Sequence, residues 1–343
     1  MTKKSRPTSF DIAFRAGVSQ ATVSRVLRGS PLVNEDTRKR VEAVAKELNY
    51  KVDRRASSLR TQTSGTLALL LFEDPTPDES HINPFFLAML GSITRACARH
   101  GQDLLVSFQQ LSEDWHSDYE DSMKADGLIL LGYGDYELYR DKLSALVERG
   151  THFVRWGAVA EDQPGVSIGC DNRHGGQLAG EHLLACGRRR IAFLGHASSH
   201  YPEFFDRFEG CSQALAAAGL PPLDRALQVD AETSEEAGYD AAQQLLARGQ
   251  AFDAVFAASD LIAVGAMRAL HEAGLRIPQD VSVVGFDDIP MARFATPPLT
   301  TVVQDTTRAG QLLVATLMQL VRDEPATSAM LPASLVVRRS STP

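Results

Sequence analysis

Between Thr8 and Gly29 apolar residues recur at helical spacing in two short stretches, Ile12, Ala13 and Ala16 in the first and Val23, Val26 and Leu27 in the second. That spacing predicts two short amphipathic helices. Thr8 with Asp11 predicts a capping box at the start of the first. Gly17 supplies the left-handed residue that ends it and turns the chain. Ser19 is placed to cap the second helix, which leaves Gln20, Ala21 and Ser24 outward. Asn34, followed by Glu35 and Asp36, predicts the N-cap of a third helix. Its stripe of Val41, Val44, Ala45 and Leu48 closes a small three-helix core that ends at Tyr50. Residues 51–64 are polar except for one isolated leucine, Leu59, and predict a linker with marginal helix potential.

From Thr66 the rhythm changes to alternating strands and helices. Apolar runs predict strands at Leu67–Phe72, Asp103–Phe108, Gly127–Leu131 and His152–Trp156, with helices at Pro84–His100, around Ser117–Lys124, and at Leu138–Arg149. A second series predicts strands at Arg190–Leu194, Ala254–Ala257 and Val281–Gly285. Its helices fall at Gly176–Cys186, Phe205–Ala218, Glu235–Arg248 and Leu261–Ala273. Fully apolar strands alternating with helices imply buried parallel sheets, and two series imply two doubly wound lobes. The chain then returns with Leu299–Val303, a helix at Thr307–Val321 and a last strand near Ser334–Arg338, so several strands are expected to cross between lobes.

Charge sharpens the division. The chain carries a net −8, but residues 1–60 hold fourteen Lys and Arg against six Asp and Glu, a balance of +8, leaving −16 on the rest. A basic head on an acidic body suits a module steered to phosphate. Two helices joined at a glycine form a helix-turn-helix layout, whose second helix enters the major groove of DNA. An ordinary helical hairpin shares the pattern; the charge favours the DNA reading. The four cysteines show no metal-ligand spacing, no cofactor is implied, and no apolar run reaches membrane-span length. A cytoplasmic, nucleoid-associated protein is expected, with no secretory signal. No phosphate loop follows a strand, and the nine histidines form no catalytic spacing, which argues against an enzyme.

Ligands of doubly wound folds sit beyond the carboxyl ends of strands. That rule points to Phe85, Phe86, Trp156, Arg207, Ser259, Asp260, Asp287 and Asp288. A guanidinium, carboxylates and aromatic faces suit a polyhydroxylated ligand. Spacing alone equally allows Asp287 to cap a turn and Arg207 to make a structural ion pair.

Several stretches carry a resemblance. In the head they are Ala16-Gly-Val-Ser, Thr22-Val-Ser-Arg-Val-Leu, Thr37-Arg-Lys-Arg-Val, Leu48-Asn-Tyr50 and Ser58-Leu-Arg-Thr61. In the body they are Asn83-Pro-Phe-Phe86, Asp126-Gly-Leu-Ile129, Gly187 to Gly195, Ala258-Ser-Asp to Gly265, Pro278 to Asp288 and Pro298-Leu-Thr-Thr-Val302. With these, nearly the whole chain resembles the lactose-repressor/galactose-repressor family of bacterial transcription regulators.

The resemblance implies an α/β chain with a three-helix helix-turn-helix head and hinge helix, followed by two lobes like those of periplasmic binding proteins. It assigns residues 1–50 to the head and 51–64 to the hinge. Residues 65–168 with about 297–328 form the first lobe, and 169–296 with about 329–343 the second. It implies a homodimer on a near-palindromic DNA operator, most simply a repressor of carbohydrate-utilisation genes released by a mono- or oligosaccharide in the interlobe cleft. A nucleobase-responsive or corepressor-type member is the alternative, and a solute-binding protein a remoter one. Ser19, Gln20, Ala21, Ser24 and Arg25 are implied near bases, with Ser19, Thr22, Asn34 and Tyr50 at phosphates or positioning the helix. Leu59 would be a minor-groove wedge, with the small Ala56 on the hinge helix. Phe86, Arg207 and Asp287 would line the effector site.

Departures from the family pattern concern Trp156, where relatives often have Asp, Thr233, where some have an aromatic, and Ser259, where some have Asn. Trp156 is expected to supply the stacking face instead. The 73–82 segment is longer than the usual turn, Val52-Asp53 replaces a Pro-Asn-type pair, and no leucine heptad follows Arg338, so a dimer is expected.

Overall fold

The computed structural model describes residues 7–27, 29–50, 63–71, 82–108, 114–132, 134–160 and 163–342. The predicted hinge, with Ala56 and Leu59, lies outside the described residues except for Thr63 and Ser64, and the 73–82 loop does so except for Ile82. Two compact units divide between Ser64 and Gly65.

In the head, α1 (Ser9–Ala16), α2 (Gln20–Leu27) and α3 (Glu35–Glu47) follow the sequence closely. The Thr8 amide donates to Asp11 Oδ2 at 2.7 Å and the Asp11 amide donates to Thr8 Oγ1 at 3.4 Å, completing the capping box. Gly17 takes φ +62°, which turns the chain so that the Val18 amide donates back to the Ala13 carbonyl at 3.1 Å. Ile12, Val23 and Val41 are fully buried between the three helices, with Leu27, Val44, Leu48 and Tyr50 half-buried around them.

Among the described residues the body holds two six-stranded sheets. The first contains β1 (Thr66–Leu71), β2 (Asp103–Phe108), β3 (Leu128–Leu131), β4 (Phe153–Trp156), β5 (Val166–Cys170) and β11 (Ala329–Leu331). Its order is β11-β5-β4-β3-β1-β2, parallel throughout. The second contains β6 (Ile191–Leu194), β7 (Gln228–Val229), β8 (Ala254–Ala257), β9 (Ser282–Asp287), β10 (Thr300–Val303) and β12 (Ser334–Val336). Its order is β12-β10-β9-β8-β6-β7, parallel except for β12 against β10. The helices are α4 (Pro84–Arg99), α5 (Tyr136–Glu148), α6 (Asn172–Ala185), α7 (Pro202–Ala217), α8 (Glu235–Ala247), α9 (Asp260–Glu272), α10 (Pro290–Phe294) and α11 (Thr306–Leu320).

The late crossovers differ from the expectation. β10 lies in the second sheet, pairing Val302 with Phe286, although 297–328 was expected in the first lobe. β11 lies in the first sheet, pairing Met330 with Gly169, although 329–343 was expected in the second. α11 keeps the expected side, packed on α4 where Gly310 meets Ser92, and so does β12, which pairs with β10 in the second sheet. Short apolar strands carry the same pattern in either sheet, so only long-range pairing selects the partner.

Three strands, β5, β7 and β11, were not anticipated; β5 carries Ser and Gly, residues that weaken a strand pattern. α6 starts at Asn172, because Asp171 caps it through the His174 amide at 2.9 Å, rather than at Gly176. α7 starts at Pro202, whose fixed φ suits a first helical turn, rather than at Phe205. The helix expected at 117–124 is a single π-helical turn, Ser117–Asp121.

Candidate functional site: recognition helix and interlobe cleft

The outer face of α2 starts from Ser19. Its Oγ accepts the Thr22 amide at 3.1 Å and lies 2.9 Å from Thr22 Oγ1, capping the helix and orienting the threonine. Ser19, Ala21 and Arg25 are exposed, while Thr22 and Ser24 are half-buried. Gln20 departs from the expected outward pose: its Nε2 donates to Ser9 Oγ at 3.3 Å, leaving it half-buried against α1. Asn34 is exposed, and its side chain accepts the Thr37 amide at 2.8 Å as the cap of α3. Tyr50 packs half-buried against the head core.

In the body, the strand-end residues converge on a buried polar cluster. Arg207, on α7, is fully buried. Its Nε donates to Asn172 Oδ1 at 2.9 Å, its Nη1 donates to the Ala258 carbonyl, and its plane lies 3.7 Å from the Phe286 ring centroid. Asp287, at the carboxyl end of β9, stands 4.0 Å from Arg207 Nη1 and accepts Gln304 Nε2 at 2.6 Å. Burial pushes its carboxyl up to about 7, against the opposing pull of Arg207 and Gln304.

Asp260, at the first position of α9, accepts Thr301 Oγ1 at 2.6 Å and the Ile289 amide at 2.9 Å. Burial and the nearby Asp287 hold it well above the usual carboxylate range. These bonds brace a strained turn, since Asp287 and Asp288 take φ +117° and +52°. Arg338 and Arg293 clasp Asp288 at 2.6 and 3.2 Å.

Aromatic rings close the first-lobe side. Phe85 and Trp156 are nearly fully buried, with ring centroids 6.0 Å apart, and Phe86 meets Phe85 edge-on at 5.4 Å. A cavity of about 350 Å³ borders this cluster, lined among others by Pro84, Phe85, Asp287, Gln304 and Thr306. Phe85 is the ring on its wall, and Phe86, which the family resemblance implies, packs fully buried beside it. Ser259 is also accounted for without a ligand: fully buried, it accepts the Ile262 amide at 3.3 Å as the cap of α9. Asn172 and Gln304 were missed, although Gln304 follows directly on β10 at the strand end where the rule for such folds looks.

One close contact carries Arg207 into place. α6 crosses α7 so tightly that a Cβ at Gly176 would collide with the Arg207 carbonyl oxygen. Gly176→Ala is expected to destabilise the body by about 1–3 kcal/mol through this overpacking. A thermal melt unchanged to within a degree would refute it.

Comparison with known proteins agrees with both halves. Residues 10–53 match the model of bacterial regulatory proteins of the lacI family, and residues 181–341 that of periplasmic binding protein-like domains. The HTH-type transcriptional regulator CelR of Thermobifida fusca is 33% identical over 99% of this chain and 100% of its own. The ribose operon repressor of Escherichia coli (strain K12) is 32% identical over 92% of this chain and 93% of its own.

Among solved structures, a lac repressor dimer bound to operator and the anti-inducer ONPF superposes with a TM-score of 0.82 at 29% identity, covering 98% of this chain and 99% of that one. A CelR–cellobiose complex gives 0.72 at 31%, covering 98% and 100%. Among the described residues no helix is long and apolar enough to cross a membrane. Head, lobes and relatives thus agree, and the chain belongs to the lacI family of bacterial regulatory proteins, as a DNA-binding transcription regulator and not an enzyme.

Proposed function

We propose that this chain is a sugar-responsive repressor that binds a near-palindromic operator as a homodimer and releases it when a sugar occupies the cleft. The observation that carries the sugar reading is the buried pair of Arg207 and Asp287, a planar donor and a carboxylate acceptor 4.0 Å apart. Such a pair suits bidentate hydrogen bonds to neighbouring hydroxyls. Trp156 and Phe85 offer ring faces for the C–H side of a sugar. The CelR neighbour was solved with cellobiose, which supports the same class.

Ser19, Gln20, Ala21, Ser24 and Arg25 would meet base edges, and Thr22, Asn34 and Tyr50 would hold phosphates or the helix. Leu59 would wedge the central step, with Ala56 letting two hinge helices approach. Exposed Leu87 on α4, with Leu105, Val106 and Phe108 on the edge strand β2, forms an apolar surface suited to the partner protomer. The protein would act in the cytoplasm, on the nucleoid.

A gel shift with palindromic promoter DNA tests this: a specific complex should form and be relieved by cellobiose or another sugar. No specific retardation at any palindrome ends the reading.

Operator preference should reside at Gln20 and Ala21. Exchanging this pair for other residues should change the preferred sequence and leave the salt slope of binding nearly unchanged, because neither side chain neutralises a phosphate. A uniform loss on all sequences would count against it.

A further inference from the structure

The chain passes between lobes three times, after β5, β10 and β11. These strands, with β12, occupy one edge of each sheet, which makes that edge the hinge. Away from it, the lobes touch through a compact set of hydrogen bonds. The Tyr136 amide, at the start of α5, donates to the His200 carbonyl at 2.7 Å. His200 Nδ1 lies 2.8 Å from Asp135 Oδ2, whose other oxygen caps α5 through the Glu137 amide at 3.0 Å. The Ala158 amide, just after β4, donates to Glu203 Oε1 at 2.7 Å, and Glu203 is buried.

Both halves of this contact are wired to the proposed effector site. Glu203 and Arg207 stand four residues apart on α7, hence on one face of one rigid helix. On the first lobe, buried Arg155 donates to the Ala158 carbonyl at 3.0 Å and lies 5.4 Å from the Tyr136 ring centroid, tying the two donating segments together next to Trp156.

We propose that Glu203 and His200 are positioning residues that latch the lobes outside the hinge strands and so set how tightly the cleft takes its ligand. The proposal rests on the cleft being the effector site only for the ligand part; the latch itself is a property of the body. A ligand that bridges both lobes binds with an apparent affinity reduced by the fraction of molecules that are open. Weakening the latch raises that fraction, and the ligand then binds less well without any lost contact of its own.

Amide exchange reads the latch directly, because Tyr136 and Ala158 donate across the lobes. In the full-length protein, Glu203→Ala should speed exchange at both amides by about tenfold, the scale of one charge-assisted hydrogen bond, and leave the sheet amides of Leu69 and Phe193 unchanged. Glu203→Gln keeps an acceptor oxygen and should restore most of the protection. His200→Ala, at a side chain 51% exposed, should fold normally and speed exchange by about threefold.

Affinity for cellobiose, measured by calorimetry on the same proteins, should fall by matching factors. If no sugar binds, the effector reading fails alone and the exchange data still judge the latch. Unchanged exchange at Ala158 and Tyr136 in both alanine variants, or no recovery with Gln, overturns the proposal.

Discussion

Asp287→Asn should leave operator binding intact and lower effector affinity by about two orders of magnitude. The amide keeps the size of the carboxyl and one acceptor oxygen for Gln304, so the cluster still packs. What it loses, above the pH near 7 at which Asp287 ionises, is the charged acceptor beside Arg207, and charge-assisted hydrogen bonds contribute roughly 1.5–3 kcal/mol each. The same substitution should change the pH dependence of stability. Asp287 is held up to about 7, so between the ordinary carboxylate range and neutrality the folded body keeps a proton that the unfolded chain releases. The contribution of Asp287 to stability is therefore lost as pH rises through that window, so relative to the wild type the asparagine variant should gain stability across it. Denaturant melts from pH 4 to 8 check the sign. Identical pH slopes in wild type and variant, or a variant with unaltered effector affinity, would remove Asp287 from the role given to it.

The second large effect lies in the head. Ile12→Ala removes a fully buried side chain from a core whose other fully buried members are Val23 and Val41. Such truncations cost about 2–5 kcal/mol, and a domain of this size has little more stability than that. Operator binding should be lost, while the body keeps its thermal transition and its ligand affinity. Differential scanning calorimetry separates the outcomes: a head transition that survives at its original temperature contradicts the core assigned to Ile12.

These two variants mark how unevenly the molecule could be read in advance. The head was legible because its determinants are local. Thr8, Gly17, Ser19 and Asn34 each bond within a few residues, and the apolar stripe has only one partner surface to meet. The body was legible as alternating strands and helices, and Asp287 as a strand-end group, whereas Arg207 stands in the second turn of α7. The side chains around them were not: Phe85 and Phe86 are adjacent and both apolar, and only packing decides which ring turns to the cavity. Ser259 stands where some relatives have Asn, and its hydroxyl is used by the first turn of α9. Helical spacing puts Gln20 outward, but its bond to Ser9 joins two helices and draws it half inward.

By itself the sequence determined the three head helices with their caps, the two doubly wound lobes and the charge division at the linker. Those properties follow from period, capping chemistry and residue type, all written within a dozen residues of one another. Only the tertiary structure decided that β10 joins the second sheet and β11 the first, that Asn172 and Gln304 hold Arg207 and Asp287, and that Glu203 reaches across to Ala158. Each of these is a choice of partner among segments far apart in the chain. Many pairings satisfy the same local pattern, and close packing with every buried polar group matched selects one of them.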